Sequence, residues 1–204
     1  MRWLILLVCG LTMFGQAHAR EPLLPPLKPG EILRGRFTQE RQLEGFSKPL
    51  RSEGNFVLVA GTGLIWRGEK PFPNETVITA AGILQTAGGT ETMRLSSARL
   101  PFLNRFYDIL SGSLSGDWGP VERDFEIATR REGSGWSVSL TPRNGDNPAL
   151  GGLASIAIGG AEFVETVEIR KQGGDRDRIL FQDQRRMTGG LSEEERQILD
   201  RAAQ

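Results

Sequence analysis

The stretch Gly54–Phe72, GNFVLVAGTGLIWRGEKPF, decides how this chain folds. It holds two short runs of apolar and aromatic residues, with a glycine turn at AGTG between them and a Pro71-Phe72 corner after them. Gly54, Phe56 and Leu58 alternate along the first run, and Leu64 and Trp66 follow the turn. Alternation bounded by glycine and proline marks a hairpin of half-buried strands.

The period of two continues outward in both directions. Upstream, ILRGRFTQERQL places Leu33, Gly35, Phe37, Gln39, Arg41 and Leu43 on one face and Arg34, Arg36, Thr38, Glu40 and Gln42 on the other. One side reads as wet; the other begins apolar and turns polar further along. Downstream, short strands are expected around Val77–Thr79 and Ile83–Thr86. The pattern then changes. In SSARLPFLNRFYDILSG, Phe102, Leu103, Phe106, Ile109 and Leu110 fall at three- and four-residue spacings, the stripe of an amphipathic helix started by Pro101 and stopped by Gly112. Strand signals return in VERDFEIATR, GWSVSL, SIAIGG, AEFVETVEIR and DRILFQDQRR. At the end, Ser192 and Glu195 in LSEEERQILDRAA form a capping-box pattern for a short helix. The sum is nine or ten strands, one middle helix and one terminal helix without strand–helix alternation. That predicts a mainly β (α+β) fold, an antiparallel sheet curled over a helix.

Residues 1–19, MRWLILLVCGLTMFGQAHA, have the layout of a cleaved signal peptide: Arg2, an apolar run from Trp3 to Phe14, and small residues at Ala17 and Ala19. The run is shorter than the ~20 residues of a membrane span. Residues 20–30, REPLLPPLKPG, contain four prolines and read as an extended lead-in. Residues 31–204 then form one domain, expected to be monomeric and exported to the periplasm.

Removing the leader empties the catalytic inventory. Cys9 and His18 are the only cysteine and histidine, so the mature chain has no Cys or His nucleophile, no Ser-His-Asp triad and no Cys/His metal site. Its 24 basic residues (25 less Arg2) face 25 acidic ones, without the basic excess of a nucleic-acid partner. The glycines of AGTGLIW and IGGAEF lack a P-loop ending and sit between strands. The acidic runs ERDFE and EFVETVE alternate with apolar residues, the mark of a solvated face. No enzyme, cofactor or metal is expected.

Apolar surface remains. Phe37, Phe56, Leu58, Leu64, Trp66, Phe72, Ile83, Phe125 and Trp136 are expected on one side of the curved sheet, with Phe102, Phe106 and Leu110 of the helix opposite. Two readings follow: a filled core serving a structural or interaction module, or an openable cavity for an acyl chain. An exported protein has a use for the second, because carrying a chain of about 16 carbons through water exposes about 12 kcal/mol of unfavourable transfer.

GRFTQERQLEGFSKPLRSEGNFVLVAGTGLIWRGEKPFPNETVITAAGILQ resembles the start of the periplasmic lipoprotein carriers of the LolA type. The shared features are Phe37-x-Gln39, a strand opening Gly54-x-Phe56, an aromatic strand ending at Trp66, the Pro71-Phe72 corner and a T-x-x-G turn at Thr79–Gly82. The later IAIGGAEFVETVEIRKQGGDRDRILFQD is similar to that family's closing strands. The resemblance implies a LolA/LolB-like unclosed antiparallel β-barrel with a helical lid, whose interior takes lipoprotein acyl chains or another lipid, such as a glycolipid or acyl intermediate. It further implies an inner-membrane ABC-type exporter as donor and an outer-membrane acceptor. Trp66 and Phe72 would line the barrel; Phe102 and Phe106 would belong to the lid. Ile65 stands where the family usually has an arginine that latches the lid, and the terminal helix from Ser192 also departs from the family pattern.

Overall fold

The computed structural model describes residues 23–25, 27–97, 119–145 and 150–204. The expectations placed on residues 1–19 and on the middle helix, with Phe102, Phe106 and Leu110, lie outside these.

Eleven strands form one antiparallel sheet. The first six are β1 (Glu31–Gln42), β2 (Leu50–Val59), β3 (Gly63–Lys70), β4 (Asn74–Thr79), β5 (Gly82–Ala87) and β6 (Thr90–Ser96). A four-residue helix α1 (Gly119–Glu122) precedes β7 (Phe125–Glu132), β8 (Gly135–Pro142), β9 (Leu153–Gly160), β10 (Val164–Lys171) and β11 (Arg176–Thr188). The chain ends in α2 (Glu193–Ala202). Spatial order is β6-β5-β4-β3-β2-β1-β11-β10-β9-β8-β7. Two meanders are thus joined along β1 and β11, and the outermost strands, β6 and β7, do not pair. The barrel is unclosed.

The hairpin read from the sequence is present, with Phe56 opposite Trp66 and Leu58 opposite Leu64. The alternation hid a second fact. Val57, Val59 and Ile65 project from the other side, where they are buried with Ile32, Val77 and Leu84. Both faces of this part of the sheet are therefore apolar and each needs a cover. Helix α2 covers one. Glu195, Ile198, Leu199 and Ala202 are its buried residues, at the spacing of a single helical stripe.

Ile65, fully buried beneath that helix, lies on the face opposite Trp66. A period of two puts neighbours on opposite faces, so this position cannot reach into the interior to latch anything. The supposedly wet face of β1 is also corrected: Arg34 lies against α2 and pairs with Glu195. Val121, expected on a strand, belongs to α1 and is buried. Within the Pro-rich lead-in, Leu24 is buried among Val121, Phe125, Trp136 and Leu140.

Candidate functional site

The side of the sheet opposite α2 carries a cavity of about 340 Å³, within the roughly 300–1,000 Å³ range of small-ligand sites. Its wall includes Leu64 and Ile78 from β3 and β4 and Ile158 from β9. Those strands stand six places apart in the sheet between β4 and β9, about 29 Å if it were flat at ~4.8 Å per strand. One cavity can touch both only because the sheet curls. Along β1 the lining runs from Leu33 to Arg41, about 26 Å at ~3.3 Å per residue. That exceeds the ~15 Å depth of half a bilayer's hydrocarbon core.

Twelve of the seventeen described lining residues are apolar. Phe56, Leu58, Leu64 and Trp66, all expected from sequence, are among them. Four aromatic rings organise one side. Phe37 stacks on Trp66 at 3.7 Å between centroids; Phe181 meets Phe56 edge-on at 5.3 Å and Trp66 at 6.0 Å. Glycines make room for them. Gly35 lies opposite Phe56, and a Cβ there would come within 2.7 Å of the Phe56 ring. Phe37 lies opposite Gly54, which in turn faces Gly68, so no intervening side chain separates Phe37 from Trp66.

The remaining expected residues sit elsewhere. Phe37 is buried behind Trp66 and forms the floor beneath the wall. Ile83 packs against the cluster of Phe56, Leu64 and Ile78 without lining the cavity. Phe125 and Trp136 do not line the cavity; they pack with Leu24 in a cluster that meets the cavity wall at Ile158, and the Trp136 Nε1 donates to Ala161 O at 2.8 Å. Phe72 is 78% exposed: it occupies the turn between β3 and β4, outside the sheet's alternation, and points to solvent.

Sequence reading missed the far wall. Val164, Val167, Ile169, Ile179 and Phe181 of β10 and β11 complete the cavity. Their signal was present in FVETVEI and RILF, whose alternation had been read only as strand. Cross-strand pairing of Val167 with Ile179 and of Phe37 with Phe181 puts these positions on the aromatic face.

The cavity is polar at one end. Asp177, buried, accepts hydrogen bonds through Oδ1 from Gln39 Nε2 at 2.8 Å and Arg41 Nε at 2.7 Å. Among the described residues Asp177 is the one carboxylate in the lining, so they do not supply the two facing carboxylates of a glycosidase-type site. Among the described residues no cluster of three or more His, Cys, Asp or Glu could hold a metal ion, and no helix is long and apolar enough to cross a membrane.

A curled, unclosed antiparallel sheet with a long apolar groove on one face defines a LolA-like fold. No family model matches the sequence, and no curated protein matches it. Solved structures do. One is MucB with MucA from Pseudomonas aeruginosa, at 11% identity and a TM-score of 0.48, covering 81% of this chain and 55% of that one. Another is a LolA superfamily protein from Nitrosomonas europaea, at 8% identity and 0.40, covering 82% and 90%. A third is a domain from Vibrio parahaemolyticus described as an outer membrane lipoprotein-sorting protein, at 8% and 0.39, covering 85% and 93%. The chain thus spans little more than half the length of the first. At such identities, and with TM-scores below 0.5, the likeness carries no conclusion about this chain; what those proteins bind remains theirs.

Proposed function

We propose that this protein is a non-catalytic periplasmic carrier that shields the acyl chain of a lipoprotein, or of a related lipid, in the groove lined by Phe56, Trp66 and Phe181. The observation behind this reading is the groove itself: a space of about 340 Å³ with mostly apolar walls, in a chain whose positions 20–204 contain no histidine or cysteine. An empty apolar space costs on the order of 24 cal/mol per Å³, a cost that a hydrocarbon tail offsets by filling it. An inner-membrane exporter as donor and an outer-membrane acceptor belong to the same proposal.

Native mass spectrometry of the protein purified from periplasm tests it. A mass increment from an acyl-bearing ligand is expected, and it should shrink when Trp66 is replaced by Ala. No adduct, even after incubation with lipoproteins or free fatty acid, would leave the filled interaction module as the better reading.

A further inference from the structure

Resting on the reading that the groove holds a hydrocarbon tail, we propose that its polar end selects the head: Arg41 takes an anionic group, phosphate or carboxylate, carried by the same ligand molecule. Gln39, Arg41 and Asp177 lie at one end of the lining, eight residues along β1 from apolar Leu33. A molecule filling the groove lengthwise has one terminus among them.

How Arg41 is held decides the chemistry. Asp177 Oδ1 engages the guanidinium through Nε alone, at 2.7 Å. The two Nη groups have no hydrogen bond among the described residues. About half of the Arg41 side chain is open to solvent, whereas only 11% of the Asp177 side chain is. A carboxylate that is buried must be paired, and here Gln39 and Arg41 both pair it. Asp177 therefore acts as a positioning residue, fixing the guanidinium plane from behind. The outward edge presents two parallel N–H donors, the arrangement that grips a carboxylate or phosphate with two bonds. A neutral ester or hydroxyl would use one of them.

Three single-chain amphiphiles of equal tail length separate the possibilities: a lauroyl lysophosphatidic acid, laurate and monolaurin. Each is titrated by calorimetry below its micelle-forming concentration and above neutral pH. Both anionic ligands are expected to bind about 10- to 100-fold more tightly than monolaurin, the range of a charge-assisted hydrogen-bond pair. The Arg41→Gln variant should remove most of the difference: monolaurin, which loses at most one hydrogen bond, weakens far less than either anion, which loses a charged pair of them. The ratio between the phosphate and carboxylate ligands tells which head fits better.

Equal affinity for all three would overturn the head-group inference and leave the tail reading standing. So would a preference that survives Arg41→Gln, since the anion would then be held elsewhere. Failure of all three to bind overturns both readings. Should the glutamine variant not fold, the native protein decides by salt: a preference undiminished at high ionic strength is not the work of a half-exposed arginine.

Discussion

Glu195 is buried at the start of α2, between that helix and strands β1 and β3. Its Oε1 accepts from Arg34 Nη1 at 2.7 Å and Arg67 Nη1 at 3.2 Å, while Oε2 accepts from Arg34 Nη2 at 2.8 Å and the Ser192 amide at 2.9 Å. One carboxylate thus closes the capping box of α2 and bolts that helix to β1 and β3. The hydrogen bonds from Arg34 foremost, against the opposing effect of burial, lower its pKa from 4.5 to about 2. The folded-state pKa lies below the unfolded one, so the stabilisation is complete above about 4.5 and is lost as pH falls through about 2. Denaturant titrations across that window should show the native protein losing more stability than Glu195→Gln. The variant keeps only the smaller losses of surface carboxylates such as Glu53 and Glu69, also held below their usual range by Lys70 and Arg36. At neutral pH the variant should be less stable by about 2 kcal/mol, below the ~3–5 kcal/mol of fully buried pairs, because Arg34 and Arg67 keep 29% and 26% of their side chains in water. A second residue-scale test concerns Gly35. An added Cβ would sit 2.7 Å from the Phe56 ring and 2.9 Å from Gln182 O, so Gly35→Ala should cost about 1–3 kcal/mol and weaken ligand binding by driving Phe56 into the groove.

Between elements, the sheet separates stability from ligand binding. Ile198 and Leu199 of α2 are buried on the face opposite the groove. Ile198→Ala should therefore destabilise by about 2–4 kcal/mol while the affinity for an acyl probe, measured well below the unfolding transition, stays unchanged. A parallel fall in affinity would mean that the two faces are not independent. The sequence made some of this legible. Ser192 and Glu195 announced the helix start because a capping box is a local motif. The strands around Trp66 were legible because turns and alternation are local as well. What covers each face was not, since Val57, Val59 and Ile65 look like unremarkable strand residues until a helix about 130 positions later folds over them. Strand β6, TETMRLS, went unseen for the opposite reason: it is an edge strand with largely exposed side chains and too little apolar contrast to alternate. The polar end of the groove was visible in β1, whose Leu33-to-Arg41 face turns from apolar to polar. That those polar residues meet Asp177 required the register of β11.

At the scale of the whole molecule, one sheet serves two uses. Around β7 and β8, Leu24, Val121, Phe125 and Trp136 pack into a core, so the aromatic residues there that sequence assigned to ligand serve packing. Between β1–β4 and β9–β11 the curl leaves a space that the side chains of the described residues do not fill. Such a division predicts a trade-off. Leu58 is only partly buried and faces the groove, so Leu58→Trp should place a larger apolar side chain in the space that a ligand would occupy. Filling it recovers part of the cavity's cost, about 1 kcal/mol at ~24 cal/mol per Å³, which for a chain of this size raises the thermal midpoint by about 2–4 °C. The same variant should bind acyl ligands poorly or not at all. A midpoint that rises while lipid affinity collapses identifies the groove as space held open for a guest. A midpoint that falls would show instead that the walls already touch and leave no room for a guest.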